Sequence, residues 1–254
     1  MVHKPTIYQL LRKAGIISLR KDTETLLKEG KISVDGKVIS RLDYQINPKK
    51  EKITVSGKLL LSESESKFPV PQKIFMLHKP IGYLTTKIQV HGRKNVMELI
   101  QEDMTLKNSL FPVGQLDFNT SGLLIITNDG ALAKRLLDPY KKVEKEYLVE
   151  ISGKLSDKAV KKIKKGMIIQ LEEGLYKTLP AEIRIKERDA LENIHTQKTI
   201  FTLILHEGKK RQIRRMMDTL GYKVLKLHRF RIGKLVLGDL KEGKYREVGR
   251  EEIY

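Results

Sequence analysis

Residues 114–130 read Gly114-Gln115-Leu116-Asp117-Phe118-Asn119-Thr120-Ser121-Gly122-Leu123-Leu124-Ile125-Ile126-Thr127-Asn128-Asp129-Gly130. The run from Leu123 to Thr127 is short, apolar and without alternation, which predicts a strand buried on both faces. Asn128-Asp129-Gly130 then opens a helix over Ala131 to Leu137, ended near Pro139. Ahead of the strand, Gly114 and Gly122 allow tight backbone around Asp117. A carboxylate in a loop beside a core strand is rigidly held, which suits a catalytic group. Taken alone, an aspartate so placed is a turn former.

The pattern extends in both directions. Ile74 to His78 predicts a strand that ends in a turn, Lys79-Pro80-Ile81-Gly82. Val143, Lys145, Tyr147, Val149 and Ile151 share one face of a later strand. Ser156 or Asp157 caps a basic helix running to Lys165. Further strands are expected over Phe201 to Leu205, Val224 to Leu227 and Lys234 to Leu237, with a helix over Arg211 to Leu220. Strands and helices alternate without a simple βαβ rhythm. The class is therefore α+β, with a mixed, largely antiparallel sheet.

Residues 62–73, Ser-Glu-Ser-Glu-Ser-Lys-Phe-Pro-Val-Pro-Gln-Lys, have linker composition. Ser, Glu and Pro build no buried face there, and two prolines oppose helix. They separate a small segment, 1–61, from a large one, 74–254. In the small segment Ile7, Leu10, Leu11 and Ala14 fall on one helical face, with Gly15 as a stop. Ser18 can cap a second helix, on which Leu19, Thr23, Leu26 and Leu27 face one way and which Gly30 ends. Ile32 and Val34 then alternate with polar residues, Asp35-Gly36 makes a tight turn, and Val38 starts a return strand. This segment holds 13 Lys or Arg against 6 Asp or Glu, a net of +7. The helix carrying Arg20, Lys21 and Lys28 gives that charge a rigid platform.

Over the full 254 residues the formal net charge is +19, a field that attracts polyanions, nucleic acid above all. There is no cysteine, which excludes disulfides, thiolate metal sites, cysteine nucleophiles and the zinc deaminase signature. The six histidines form no metal-spaced pair. No Gly-x-Gly-x-x-Gly occurs, so a dinucleotide or methyl-donor loop is unsupported. Gly238 to Lys244 begins like a phosphate loop, but Tyr245 replaces the Ser or Thr that would hold magnesium. A glycosidase needs two cooperating carboxylates, and the nearest acid downstream of Asp117 is Asp129, beyond the apolar strand. The N-terminus lacks a signal-peptide profile and no run reaches the ~18 apolar residues of a membrane span, so a cytoplasmic protein with no membrane partner is expected.

Two more segments carry chemistry. In Glu146-Tyr147-Leu148-Val149 the tyrosine reads either as core or as a platform for a nucleobase. In Glu207-Gly208-Lys209-Lys210-Arg211-Gln212-Ile213-Arg214-Arg215-Met216-Met217, the residues Ile213, Met216, Met217 and Leu220 form one helical face, an ordinary core stripe. Arg211, Arg214, Arg215 and Asp218 form the other. Residues 205–234 hold 10 Lys or Arg against 2 Asp or Glu, a density that suggests phosphate clamping.

The stretch Lys13-Ala14-Gly15-Ile16, with Lys28-Glu29-Gly30-Lys31-Ile32-Ser33-Val34-Asp35-Gly36-Lys37-Val38, resembles the small RNA-binding domain named after ribosomal small-subunit protein four. It departs at Ile17-Ser18-Leu19-Arg20-Lys21-Asp22, where many relatives carry Ser-Arg-Arg-Glu-Ala. The rest of the chain resembles the RsuA/RluB-type pseudouridine synthases. That likeness is carried by Lys79-Pro80-x-Gly82, His91-Gly92-Arg93, the Asp117 segment, Lys145-Glu146-Tyr147, Arg211-Gln212-Ile213-Arg214-Arg215-Met216 and Gly233 to Leu240. Gln115 stands where that family usually has arginine.

The resemblance implies a helix-helix-hairpin RNA-binding domain followed by a pseudouridine-synthase-type catalytic domain, its sheet flanked by helices. It makes Asp117 the catalytic carboxylate, stacks Tyr147 on the uracil, pairs Arg214 with Asp117 and packs Leu227 against the flipped base. Lys79, His91, Arg93, Arg211 and Arg229 become candidate RNA contacts, alongside Arg20, Lys21 and Lys28. The implied partner is ribosomal RNA, of either subunit, bound by a monomer. The implied reaction breaks the ribose–uracil nitrogen bond and re-attaches the base through carbon, with no metal or other cofactor. Asp117 acts either as nucleophile or as base. The competing reading is a non-catalytic rRNA-binding or ribosome-assembly factor, in which Asp117 is only a turn residue.

Overall fold

In the computed structural model of the chain, residues 4–13, 16–17, 20–47, 50–61, 70–188 and 197–254 are described. Ala14, Gly15, Ser18, Leu19 and most of the expected 62–73 linker lie outside the described residues. The chain divides into two compact units: Met1–Lys73 with Ile100–Phe111, and Ile74–Leu99 with Pro112–Tyr254.

The first unit holds helices α1 (Ile7–Lys13) and α2 (Arg20–Lys28). Helices this short are marginal alone in water. They are held by one shared core in which Ile7, Leu11 and Leu27 meet Ile32, Val34, Ile39, Ile46, Ile53 and Val55. Strands β1 (Ile32–Val34) and β2 (Lys37–Val38) are joined by Asp35 and Gly36, with φ of 48° and 80°. Positive φ at both central residues matches the twist of a two-residue hairpin. Strands β3 (Ile53–Val55) and β4 (Lys58–Leu61) form a second hairpin through Ser56-Gly57, which the sequence reading does not contain. The sheet order is β2-β1-β3-β4. Helix α3 (Met104–Ser109) also belongs to this unit, its start capped by the Asp103 carboxylate.

The second unit is built on a nine-stranded sheet. Its strands are β5 (Ile74–Lys79), β6 (Phe111–Val113, entering from the first unit at Phe111), β7 (Ser121–Thr127), β8 (Lys145–Ser152), β11 (Glu182–Arg188), β12 (Lys198–Leu205), β13 (Val224–Ile232), β14 (Leu235–Val236) and β15 (Tyr245–Glu247). The order is β11-β12-β8-β13-β7-β5-β15, with β14 on β13 and β6 on β7. Along that path β13 and β7 pair in parallel and the other neighbours antiparallel, so the sheet is mixed and largely antiparallel. Strands β9 (Ile168–Leu171) and β10 (Gly174–Lys177) form a separate hairpin. The helices are α4 (Gly130–Leu137), α5 (Asp157–Lys165) and α6 (Gln212–Thr219).

All seven residues of β7 are buried, as its unbroken apolar run requires. Where β7 meets β13, Gly122 lies opposite Arg229. Its φ is 116°, and a Cβ added there would overlap the Arg229 carbonyl. Only glycine lets the two strands approach at that point. Asp129 is the cap of α4: Oδ1 accepts from Ala131 N–H at 3.0 Å and Leu132 N–H at 3.1 Å, and Oδ2 pairs with Arg250. At α5 the cap is Ser156, whose hydroxyl accepts from Ala159 N–H. Helix α6 starts at Gln212, one residue later than expected, because Arg211 takes a left-handed conformation with φ 56° and ψ 28°.

Candidate active site

Asp117 lies in the loop between β6 and β7, and four side-chain and backbone tethers fix that loop. Lys79, fully buried at the end of β5, donates its Nζ protons to the carbonyls of Pro80 (3.0 Å), Asp117 (3.1 Å) and Thr120 (2.9 Å). The Thr85 hydroxyl donates to Leu116 O at 2.7 Å and accepts from Leu116 N–H at 3.3 Å. Gly82 N–H donates to Phe118 O, and Thr120 N–H closes a turn onto Asp117 O. Burial pulls the Lys79 ammonium down to about 8, against the nearby Asp117 charge that holds it up. The expected RNA contact at Lys79 is corrected: its ammonium is spent on three carbonyls and shapes the loop.

Two arginines flank the Asp117 carboxylate, which is about one quarter exposed. Arg214 Nε stands 3.7 Å and Arg211 Nη1 3.9 Å from the same oxygen, Oδ2. Arg214 is itself held: Nη2 donates to Asn119 O at 2.7 Å and Nη1 to Val224 O at 3.4 Å. Its Nε is buried with no hydrogen-bond partner among the described residues. Burial lowers its pKa, Asp117 raises it, and Arg211 lowers it again. At these separations the arginines act on the carboxylate through charge, not through hydrogen bonds.

Beside Asp117 opens a cavity of about 110 Å³. Its floor comes from the central strands: Tyr147 on β8, and Leu227 and Arg229 on β13. Register explains the grouping, since Arg229 lies opposite Tyr147 and Leu227 opposite Val149. Arg229 is 4% exposed. Its Nε donates to Leu123 O at 2.8 Å, Nη1 reaches the Tyr147 hydroxyl at 3.5 Å, and Nη2 has no hydrogen-bond partner among the described residues. It lines the cavity from inside, as a buried donor facing the pocket. The rim comes from Gln115, Asp117, Lys209 and Arg211, and the buried Thr120 and Lys145 of β8 line the wall. Lys145 donates to Val143 O, and burial together with the Arg229 charge pulls it down to about 8.

His91 and Arg93 are exposed on a bridged loop whose Leu84 pairs with Asn95. Arg20, Lys21 and Lys28 are exposed on α2 in the first unit. The sequence reading missed Lys145 as a cavity residue and Asn119 as the acceptor that seats Arg214. A lysine two residues before the tyrosine on the same strand face was the available signal for the first; the second depends on a long-range contact. Among the described residues no His/Cys/Asp/Glu cluster could hold a metal, and no helix is long and apolar enough to cross a membrane.

A carboxylate at the mouth of a small pocket, with buried donors and an aromatic floor, has the features of an enzyme's site. The sequence profile of the RNA pseudouridylate synthase family matches residues 73–219. An uncharacterized RNA pseudouridine synthase of Aquifex aeolicus is 38% identical over 97% of this chain and 91% of its own. The ribosomal large subunit pseudouridine synthase B of Bacillus subtilis is 35% identical over 97% and 93%. A crystal structure of a pseudouridylate synthase superposes with a TM-score of 0.62 at 24% identity, over 98% of this chain and 97% of that one, which shows the fold. The chain belongs to the RNA pseudouridylate synthase family. It is an isomerase that converts uridine to pseudouridine in RNA, and the reading as a non-catalytic assembly factor is not favoured.

Proposed function

We propose that the substrate is ribosomal RNA, of the large subunit, and that Asp117 is the carboxylate that carries the reaction. The observation behind the second part is the convergence on one small cavity of Asp117, Arg211 and the floor of Tyr147, Leu227 and Arg229, with Arg214 Nε 3.7 Å from the same carboxylate. The substrate follows from likeness to the Bacillus subtilis large-subunit enzyme and from the net charge of +19.

The target uridine must leave its stack, at a cost of a few kcal/mol, which phosphate contacts on flanking nucleotides can offset. The first unit, with Arg20, Lys21 and Lys28 exposed on α2, is the proposed source of part of that binding. Once extruded, the base lies over Tyr147 and Leu227, and the free Nη2 of Arg229 offers a proton to a uracil carbonyl. Asp117 is then near the anomeric region, where it acts as nucleophile or base. The bond to N1 breaks, the base turns, and C5 bonds to the ribose carbon; C5 gives up a proton and N1 gains one.

Pseudouridine mapping of both rRNAs in cells with and without the gene tests the substrate. Loss of one or a few large-subunit pseudouridines, restored by purified protein on deproteinised RNA, is the expected result. Unchanged rRNA with a loss in transfer RNA would overturn the substrate and leave the chemistry standing.

A further inference from the structure

Glu207 opens a strongly basic stretch of the chain, yet it is buried, with 5% of its surface exposed. Three donors converge on its carboxylate. Tyr176 O–H gives to Oε2 at 2.5 Å, while Leu179 N–H and Gln212 Nε2 give to Oε1 at 2.9 and 2.6 Å. Gln212 in turn accepts from Lys209 N–H through its side chain and donates its own N–H to Lys209 O, both at 3.0 Å. The segment 207–212 is thereby closed into a ring tied to the β10 end of the β9–β10 hairpin. Gly208, Lys209, Arg211 and Gln212 of that ring line the cavity beside Asp117. Inside the ring sits Arg211 at φ 56°. A non-glycine residue persists there only when its surroundings hold it.

We infer that Glu207 is a positioning residue: by binding Tyr176, Leu179 and Gln212 at once, its carboxylate holds the 208–211 turn so that Arg211, and one helical turn on Arg214, face Asp117. A carboxylate suits this place because it only accepts, and the three neighbours all donate; an amide would turn an NH₂ toward one of them. The tie to Glu207 also pushes the Tyr176 phenol up to about 12, so this member of the ring keeps its proton. The inference rests on Asp117 being the reacting carboxylate.

A double-mutant cycle on the full-length protein tests it, with Glu207→Ala, Glu207→Gln and Tyr176→Phe each combined with Arg211→Ala. Single-turnover rate at saturating rRNA fragment, RNA affinity and thermal melting are read for every variant. Glu207→Ala should lower the rate about 10- to 100-fold, as misplacement by an ångström does, with RNA affinity kept. In the Arg211→Ala background the same change should cost several-fold less, only what it does through Arg214, because the part carried by Arg211 is already gone. Glu207→Gln and Tyr176→Phe, which keep most of the ring, should show smaller losses with the same non-additivity. Losses that multiply fully with Arg211→Ala, or that appear only as melting or affinity changes, would overturn the inference. Activity retained in Asp117→Asn would instead bring down the assignment on which it rests.

Discussion

The floor and the rim of the cavity are held by different means. The floor residues, Tyr147, Leu227 and Arg229, sit on strands in the middle of a nine-stranded sheet, where backbone ladders and close packing fix them. The rim residues, Asp117 and Arg211, sit in loops fixed by a few side chains reaching backbone atoms: Lys79, Thr85, Arg214 and the Glu207 ring. The floor is therefore tied to global stability, and the rim can be loosened with little unfolding. Catalytic groups on loops carried by a rigid sheet are a common division of labour.

The comparison breaks first, if it breaks, at Gly122. Alanine there must push β7 from β13 at Arg229, so Gly122→Ala is expected to cost about 3–5 kcal/mol in denaturant unfolding. A loss under about 1 kcal/mol would mean the strand contact yields easily. Lys79 belongs to both regions, since it is buried with the sheet but shapes the loop. Lys79→Met leaves three carbonyls without a donor and should cost about 2–4 kcal/mol, with activity lost in the protein that still folds. Arg214→Lys keeps the charge and loses the fork that bonds the Asn119 and Val224 carbonyls and holds Nε beside Asp117. It should lower the single-turnover rate about 10- to 100-fold while the melting temperature stays put. A large melting change without a rate change would place Arg214 in the floor's class.

Lys145 gives the smallest and most conditional effect. Its folded-state value of about 8 lies below the ordinary 10.5, so between those pH values the unfolded chain binds more protons than the folded one. Stability then rises with pH across that window. Below about pH 8 the buried charge costs stability, which Lys145→Met recovers, and that gain in melting temperature should shrink from pH 8 towards pH 10. A gain that does not change with pH would point to packing.

Much of this architecture is legible in sequence where local pattern and tertiary role agree. The apolar run of β7, the Tyr147-Val149-Ile151 face of β8 and the apolar stripe of α6 are read directly from their periodicity. Elements with weak local signals are not. The β9–β10 hairpin exposes Ile168 and Leu175, β11 is a charged edge strand, and the second hairpin of the first unit turns on Ser56-Gly57. The site is legible as a set of residues, because Asp117, Tyr147, Arg214 and Leu227 lie in recognisable stretches. What each does is less so. Lys79 reads as a candidate RNA contact and is fully buried on three carbonyls, the inward placement of Arg229 depends on its strand register, and the left-handed Arg211 sits in a ring tied to Tyr176 and Leu179, far back in the chain.

The central claim is that one carboxylate carries the isomerisation and contributes little to binding. Asp117→Asn, assayed on a large-subunit rRNA fragment by pseudouridine-specific chemistry beside a direct binding measurement, tests it most directly. The account expects the single-turnover rate to fall at least about 10³-fold with RNA affinity unchanged. Pseudouridine formed at the rate of the unmodified protein would contradict it.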